Sequence, residues 1–109
     1  MNRYKLQKLK FPSNCKVVKH EFTTYDPEIE FSENHSLNYL SEDLLQIEFE
    51  ELDLIVDLGW YGGISNKKGL FKIHIIKDSN WENPIKIETS TSQLIIVKKL
   101  EDILSLLNK

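Results

Sequence analysis

Cysteine is nearly absent: Cys15 stands alone in 109 residues, so neither an intrachain disulfide nor a cysteine metal cluster can hold the fold together. That usage fits a reducing compartment, and a cytoplasmic location is expected. Long apolar runs are missing too, and no segment approaches the roughly 20 apolar residues needed to span a bilayer. The basic start, with Arg3, Lys5, Lys8 and Lys10, has no apolar stretch behind it, which argues against a secretory signal. Glycine and proline are scarce, four and three residues, and 40% of the chain is hydrophobic, a composition that folds rather than one of low complexity or disorder. At this length one domain over residues 1–109 is expected.

Positive charge is missing from a whole third of the chain. Eleven acidic residues lie between Asp26 and Asp57 with no lysine or arginine among them, whereas the remainder carries fourteen basic and six acidic residues. The overall charge of −3 conceals this segregation. The carboxylates of the middle third must be solvated, pair with lysines that the fold brings in, or meet a basic partner.

What is present is alternation. Leu45, Ile47 and Phe49 alternate with Gln46, Glu48 and Glu50, the period-two pattern of a strand wet on one face. Leu52, Leu54, Val56, Leu58 and Trp60 share one face of the next strand, and Asp53, Ile55, Asp57, Gly59 and Tyr61 the other. Phe71, Ile73 and Ile75 alternate with Lys72, His74 and Ile76 in the same way. Matching the apolar faces pairs Trp60 with Phe71, Leu58 with Ile73 and Val56 with Ile75, and sets Asp57 opposite His74. The loop 62–69 then closes a hairpin, with Gly62 and Gly63 suited to the positive φ of its exit. Earlier, Lys16–Phe22 is β-branched enough for a strand, the first ten residues form a possible strand, and 26–41 reads as a loop with room for one helical turn.

Past the turn at 77–84, Pro84 opens a short strand, Ile85–Thr89. Ser90 and Gln93 then have capping-box spacing, and Leu94, Val97, Leu100, Leu104 and Leu107 recur at helical spacing, with Ile95, Ile103 and Leu106 widening the stripe. The reading is α+β: one antiparallel sheet with a C-terminal amphipathic helix, Ser92 to Leu107, packed on it.

Signatures of chemistry are weak. The glycines of "DLGWYGG", Asp57–Gly63, precede a polar loop and another strand, so they fit neither a dinucleotide fingerprint nor a phosphate-binding loop. His20, His35 and His74 have no metal-ligand spacing, and neither a cofactor nor a metal is expected. An Asp57/His74 pair would resemble part of a general-base arrangement, which keeps a small hydrolase or metal-dependent enzyme as an alternative, beside a non-catalytic adaptor module whose acids only solubilise it. Tyr61 leaves the core face by alternation, and Trp81 falls in a turn. Exposed aromatics beside acids are typical anchors of a protein interface, and capping the core edge is the alternative role for either.

The stretches "LDLIVDLGWYGG" and "GLFKIHIIKDSNWENPIKIETS", followed by the amphipathic helix, resemble small bacterial immunity proteins encoded beside polymorphic toxins, including those of contact-dependent growth inhibition systems. The likeness covers the chain from Leu52 onward. It implies a protein that is not an enzyme, which binds and blocks one cognate toxin domain, often a nuclease, inside the producing cell. The charge pattern agrees independently, because enzymes that cut RNA or DNA present basic grooves to phosphates. Glu28, Glu30, Glu33, Glu42, Asp43, Glu48 and Glu50 are the expected contacts to such a groove, with Tyr61 and Trp81 as anchors. Neither nucleic acid nor a membrane is an expected partner.

Overall fold

The computed structural model describes residues 4–29, 32, 35, 38–62 and 69–108. Five strands form one antiparallel sheet in chain order: β1 Lys16–His20, β2 Leu45–Phe49, β3 Leu54–Tyr61, β4 Leu70–Lys77 and β5 Lys86–Ser90. The hydrophobic alternation sets the register, as expected. Trp60 lies opposite Phe71, Leu58 opposite Ile73, Val56 opposite Ile75 and Asp57 opposite His74. A slip of one residue would turn the three apolar side chains of one strand to the wet face.

One face of the sheet is core. Leu45, Ile47 and Phe49 from β2, Val56, Leu58 and Trp60 from β3, and Phe71, Ile73 and Ile75 from β4 are buried there. The helix α1, Gln93–Leu107, covers them with Ile96, Leu100, Ile103 and Leu104. Burial contributes about 1.5–3 kcal/mol for each such aliphatic side chain, which is what holds a fifteen-residue helix that would be marginal alone.

The helix differs from the expected one in two respects. Its N-cap is Ser92, whose hydroxyl accepts from the amide of Ile95, while Ser90 accepts from the amide of Ser92 one step earlier. Gln93 does not reach back to a cap. Its side chain is buried and donates to the carbonyls of Thr23 and Tyr25 while accepting from Gln7. The apolar stripe is also rotated: Ile96 is buried, whereas Leu94, Ile95 and Leu106 stay exposed. Both differences share a cause, since seating Gln93 against the Thr23 and Tyr25 carbonyls turns the neighbouring Leu94 outward.

The N-terminal residues pair locally rather than joining the sheet. Leu6 bridges Thr23, and the amides of Gln7 and Thr24 donate to the carbonyls of Phe22 and Lys5, both at 2.8 Å. This ribbon buries Phe22 and Tyr25 in the core. Within the expected loop, Asn38 and Tyr39 have helical backbone. The other face of the sheet carries Gln46, Glu48, Ile55, Asp57, Tyr61, Lys72 and His74, all only half-buried.

Candidate functional site

Acidic side chains gather where two turns meet at one end of the sheet. After Phe49 the chain makes a short 3-10 helix, Glu50–Leu52, and Asp53 closes it in the left-handed region at φ 52°. The next hairpin turn, after β4, places Asp78 and Ser79 in the same region, at φ 54° and 57°. Aspartate tolerates this conformation because its short side chain bonds locally. The amide of Asp78 donates to the carbonyl of Asp53 at 2.9 Å, and the Lys77 ammonium donates to the carbonyl of Leu52 at 2.7 Å, so the two turns are tied together.

Two adjoining clefts result. One, of about 210 Å³, is lined by Glu48, Glu50, Asp53, Leu54, Ile55 and Asp78. The other, of about 250 Å³, shares Glu48 and Glu50 and adds Glu51, Asn14, Cys15 and Lys16. Among the described residues, of the five carboxylates Glu48, Glu50, Glu51, Asp53 and Asp78, only Asp78 has a lysine within ion-pair distance, Lys77 at 4.0 Å. No three of the acidic, histidine or cysteine side chains among the described residues are placed to hold a metal ion.

A second acidic group sits toward the far end of β3. Gly59 lets the segment before β2 cross close over the strand: a Cβ at this position would overlap the carbonyl of Glu42. The amide of Trp60 donates to Ser41 at 2.7 Å and that of Leu44 to Leu58 at 3.0 Å. Glu42 and Asp43 are thereby brought beside Asp57 and Tyr61. Asp43 is ion-paired with Lys19 at 2.9 Å. Burial pushes the Asp57 carboxyl up to about 6, with Asp43 adding to the rise and Lys19 opposing it. Burial likewise raises Tyr61, and the carboxylates of Asp57, Glu42 and Asp43 add to it.

Asp57 and His74 face each other across the β3–β4 ladder, but no side-chain hydrogen bond joins them. Oδ1 of Asp57 is buried without a hydrogen-bond partner among the described residues, and burial together with Lys72 lowers His74 below its ordinary value. His74 instead packs edge-on against Tyr61, whose ring also lies under the Lys72 ammonium at 5.0 Å. The three histidines are dispersed. His20 bonds the Gln7 carbonyl, His35 packs among Tyr4, Tyr25 and Tyr39, and His74 lies on the open sheet face.

The expected contact residues are divided between the two ends of the sheet, although Glu48 and Tyr61 share its open face. Glu48, Glu50 and the half-exposed Trp81 belong to the end with the two clefts. Glu42, Asp43 and Tyr61 belong to the other end of β3, a strand length of roughly 20 Å away. Glu28 lies in the turn following Tyr25, beside the start of α1. Glu30 and Glu33 lie outside the described residues. Sequence reasoning passed over Asp53 and Asp78 as site residues. Asp78 falls outside the acidic segment, and only the pairing of β3 with β4 carries it beside Asp53.

The chain matches no family model, no curated protein and no solved structure. Among the described residues, no helix is long and apolar enough to cross a membrane.

Proposed function

We propose that the chain is a non-enzymatic immunity protein that neutralises a cognate toxin domain, a basic nuclease, in the cytoplasm of the cell that makes both. The observation that carries this reading is the pair of clefts at the β2–β3 turn, with five carboxylates of which four have no lysine partner among the described residues. Carboxylates spaced along a cleft mimic the phosphates that a nuclease groove is built to receive. The half-exposed Trp81, in the turn that follows Asp78, supplies an aromatic anchor of the kind that dominates binding energy at protein interfaces. The resemblance of the stretch from Leu52 onward to immunity proteins of polymorphic toxin systems supports the same class.

The mechanism is capture and occlusion. Complementary fields raise association rates about 10 to 1,000-fold, which suits a protein that must reach its toxin before the toxin reaches nucleic acid. Desolvated carboxylates then compete with phosphate for the same cationic side chains. No bond is made or broken in the process.

The test is kinetic. Association with the purified cognate nuclease domain should slow at least tenfold between low and high salt. Reversing Glu50 and Asp53 together to lysine should slow it further and abolish protection of cells that express the toxin. A salt-independent on-rate, or full protection by the doubly reversed variant, would overturn the assignment of the acidic end.

A further inference from the structure

The two edges of the sheet are treated differently. β1 carries lysines at both ends of Lys16–Lys19 and an irregularity between Val17 and Lys19, the devices that keep edges from pairing. β5 keeps one register over Lys86–Ser90, the Ile85 amide also donating to the Ile75 carbonyl at 2.9 Å where the strand begins, and leaves Ile85 and Ile87 exposed, at 61% and 51%.

The free hydrogen-bonding groups of β5 follow from the ladder. Asp78 donating to Asp53 makes theirs a hydrogen-bonded pair, so alternation turns the N–H and C=O of Phe71, Ile73 and Ile75 toward β5. Their partners Ser90, Glu88 and Lys86 turn inward to meet them. Ile87 and Thr89 therefore present their backbone groups to the open edge. The Thr89 carbonyl is already taken by the Lys99 ammonium at 3.3 Å, which leaves both groups of Ile87 and the amide of Thr89.

We infer that β5 is the interface of a two-fold symmetric dimer, in which two copies join edge to edge, antiparallel, about Ile87, into one ten-stranded sheet. The charge order of the strand selects this register. With Ile87 opposite its own copy, Lys86 of each chain stands opposite Glu88 of the other, giving two favourable cross-strand pairs on the helix side. Centring the axis on Glu88 would oppose two carboxylates. An odd register is excluded, because it would set inner-face against outer-face residues. The outer face would gain an Ile87–Ile87 contact.

The helix flank agrees. Lys99 bonds Glu88 and Thr89, so its side of α1 faces the β5 edge, and Ile95 and Leu106 lie on that same side at i−4 and i+7. Both are exposed, at 50% and 82%. A two-fold axis perpendicular to the sheet puts the partner's helix on the same side, where these side chains can be covered.

The inference stands apart from the toxin-binding reading and is tested without any partner. Sedimentation equilibrium of the full chain across a concentration series should show a species of twice 12.8 kDa. Lys86→Glu, which opposes carboxylates across the axis, should weaken dimerisation roughly tenfold or more. Ile87→Pro removes an amide that the monomer's own ladder does not use and should leave a monomer of unchanged circular dichroism. A wild-type chain that stays at 12.8 kDa at its highest attainable concentration would overturn the dimer, as would a dimer that survives Ile87→Pro. Dimerisation unaffected by Lys86→Glu would overturn the register.

Discussion

The backbone amide of Asp78 donates to the carbonyl of Asp53 across 2.9 Å, and both aspartates hold left-handed backbone. Two turns that are distant in sequence are locked together by this bond, and the acidic clefts lie against it. Backbone conformation and charge can be separated here. Asp53→Asn keeps a residue that tolerates positive φ and is expected to change stability by no more than about 0.5 kcal/mol. Asp53→Val forces a β-branched residue into the same region and should cost about 1–3 kcal/mol. Urea denaturation of the two variants measures the difference.

Gly59→Ala tests the close crossing of the 41–44 segment over β3. The new methyl group meets the Glu42 carbonyl, which is backbone and cannot swing aside, so the segment must lift. The hydrogen bonds from Trp60 to Ser41 and from Leu44 to Leu58 are lost with it, and a cost of about 2 kcal/mol or more is expected. Hydrogen exchange should show loss of protection at the Trp60 and Leu44 amides while the β3–β4 ladder keeps its own.

Asp57 should make the protein less stable at neutral than at mildly acid pH. Its folded value of about 6 lies above the ordinary 3.8, so the folded state holds the proton more tightly than the unfolded chain. The destabilisation is absent below about pH 4, grows between there and pH 6, and is fully present above. The groups around it are Asp43 and Lys19 beside it, His74 opposite and Tyr61 next on its face. His74, lowered by burial and Lys72, contributes the opposite slope. Asp57→Asn removes only the first, and the difference between wild type and variant isolates it. The variant should be more stable at pH 7 by about 1 kcal/mol, a figure reduced for the carboxylate's remaining solvent contact, and indistinguishable near pH 4.

The rotated helix stripe separates residues that look alike on paper. Leu104 is buried against the sheet, and Leu104→Ala should cost about 2–5 kcal/mol by opening a cavity. Leu94, 80% exposed, belongs to the same helical spacing in the sequence, yet Leu94→Ala should stay within about 0.5 kcal/mol of wild type. Guanidinium denaturation at fixed protein concentration compares the two.

The sheet was legible from residues because alternation is a local signal: Val56, Leu58 and Trp60 pair one to one with Ile75, Ile73 and Phe71 in a single register. The helix was legible in extent but not in orientation. Leu94 and Ile96 are equally apolar, and the choice between them fell to Gln93, a polar residue whose buried partners, Thr23 and Tyr25, are some seventy residues away. The candidate site was half legible. Glu48 and Glu50 were marked by the one-signed segment, whereas Asp78 stands in a turn beside Lys77 and nothing local distinguishes it.

By itself the amino-acid order determined the central strands, the register of β3 against β4 and the excess of carboxylate in the middle third, since each shows in local alternation or composition. Only the tertiary structure decided where that charge goes. Pairing β2, β3 and β4 in sequence order placed Glu48, Glu50 and Asp53 with Asp78 at one end, and Gly59 let Glu42 and Asp43 settle at the other. Local alternation fixes which face a side chain takes; the distance between two charges depends on contacts between residues far apart in the chain.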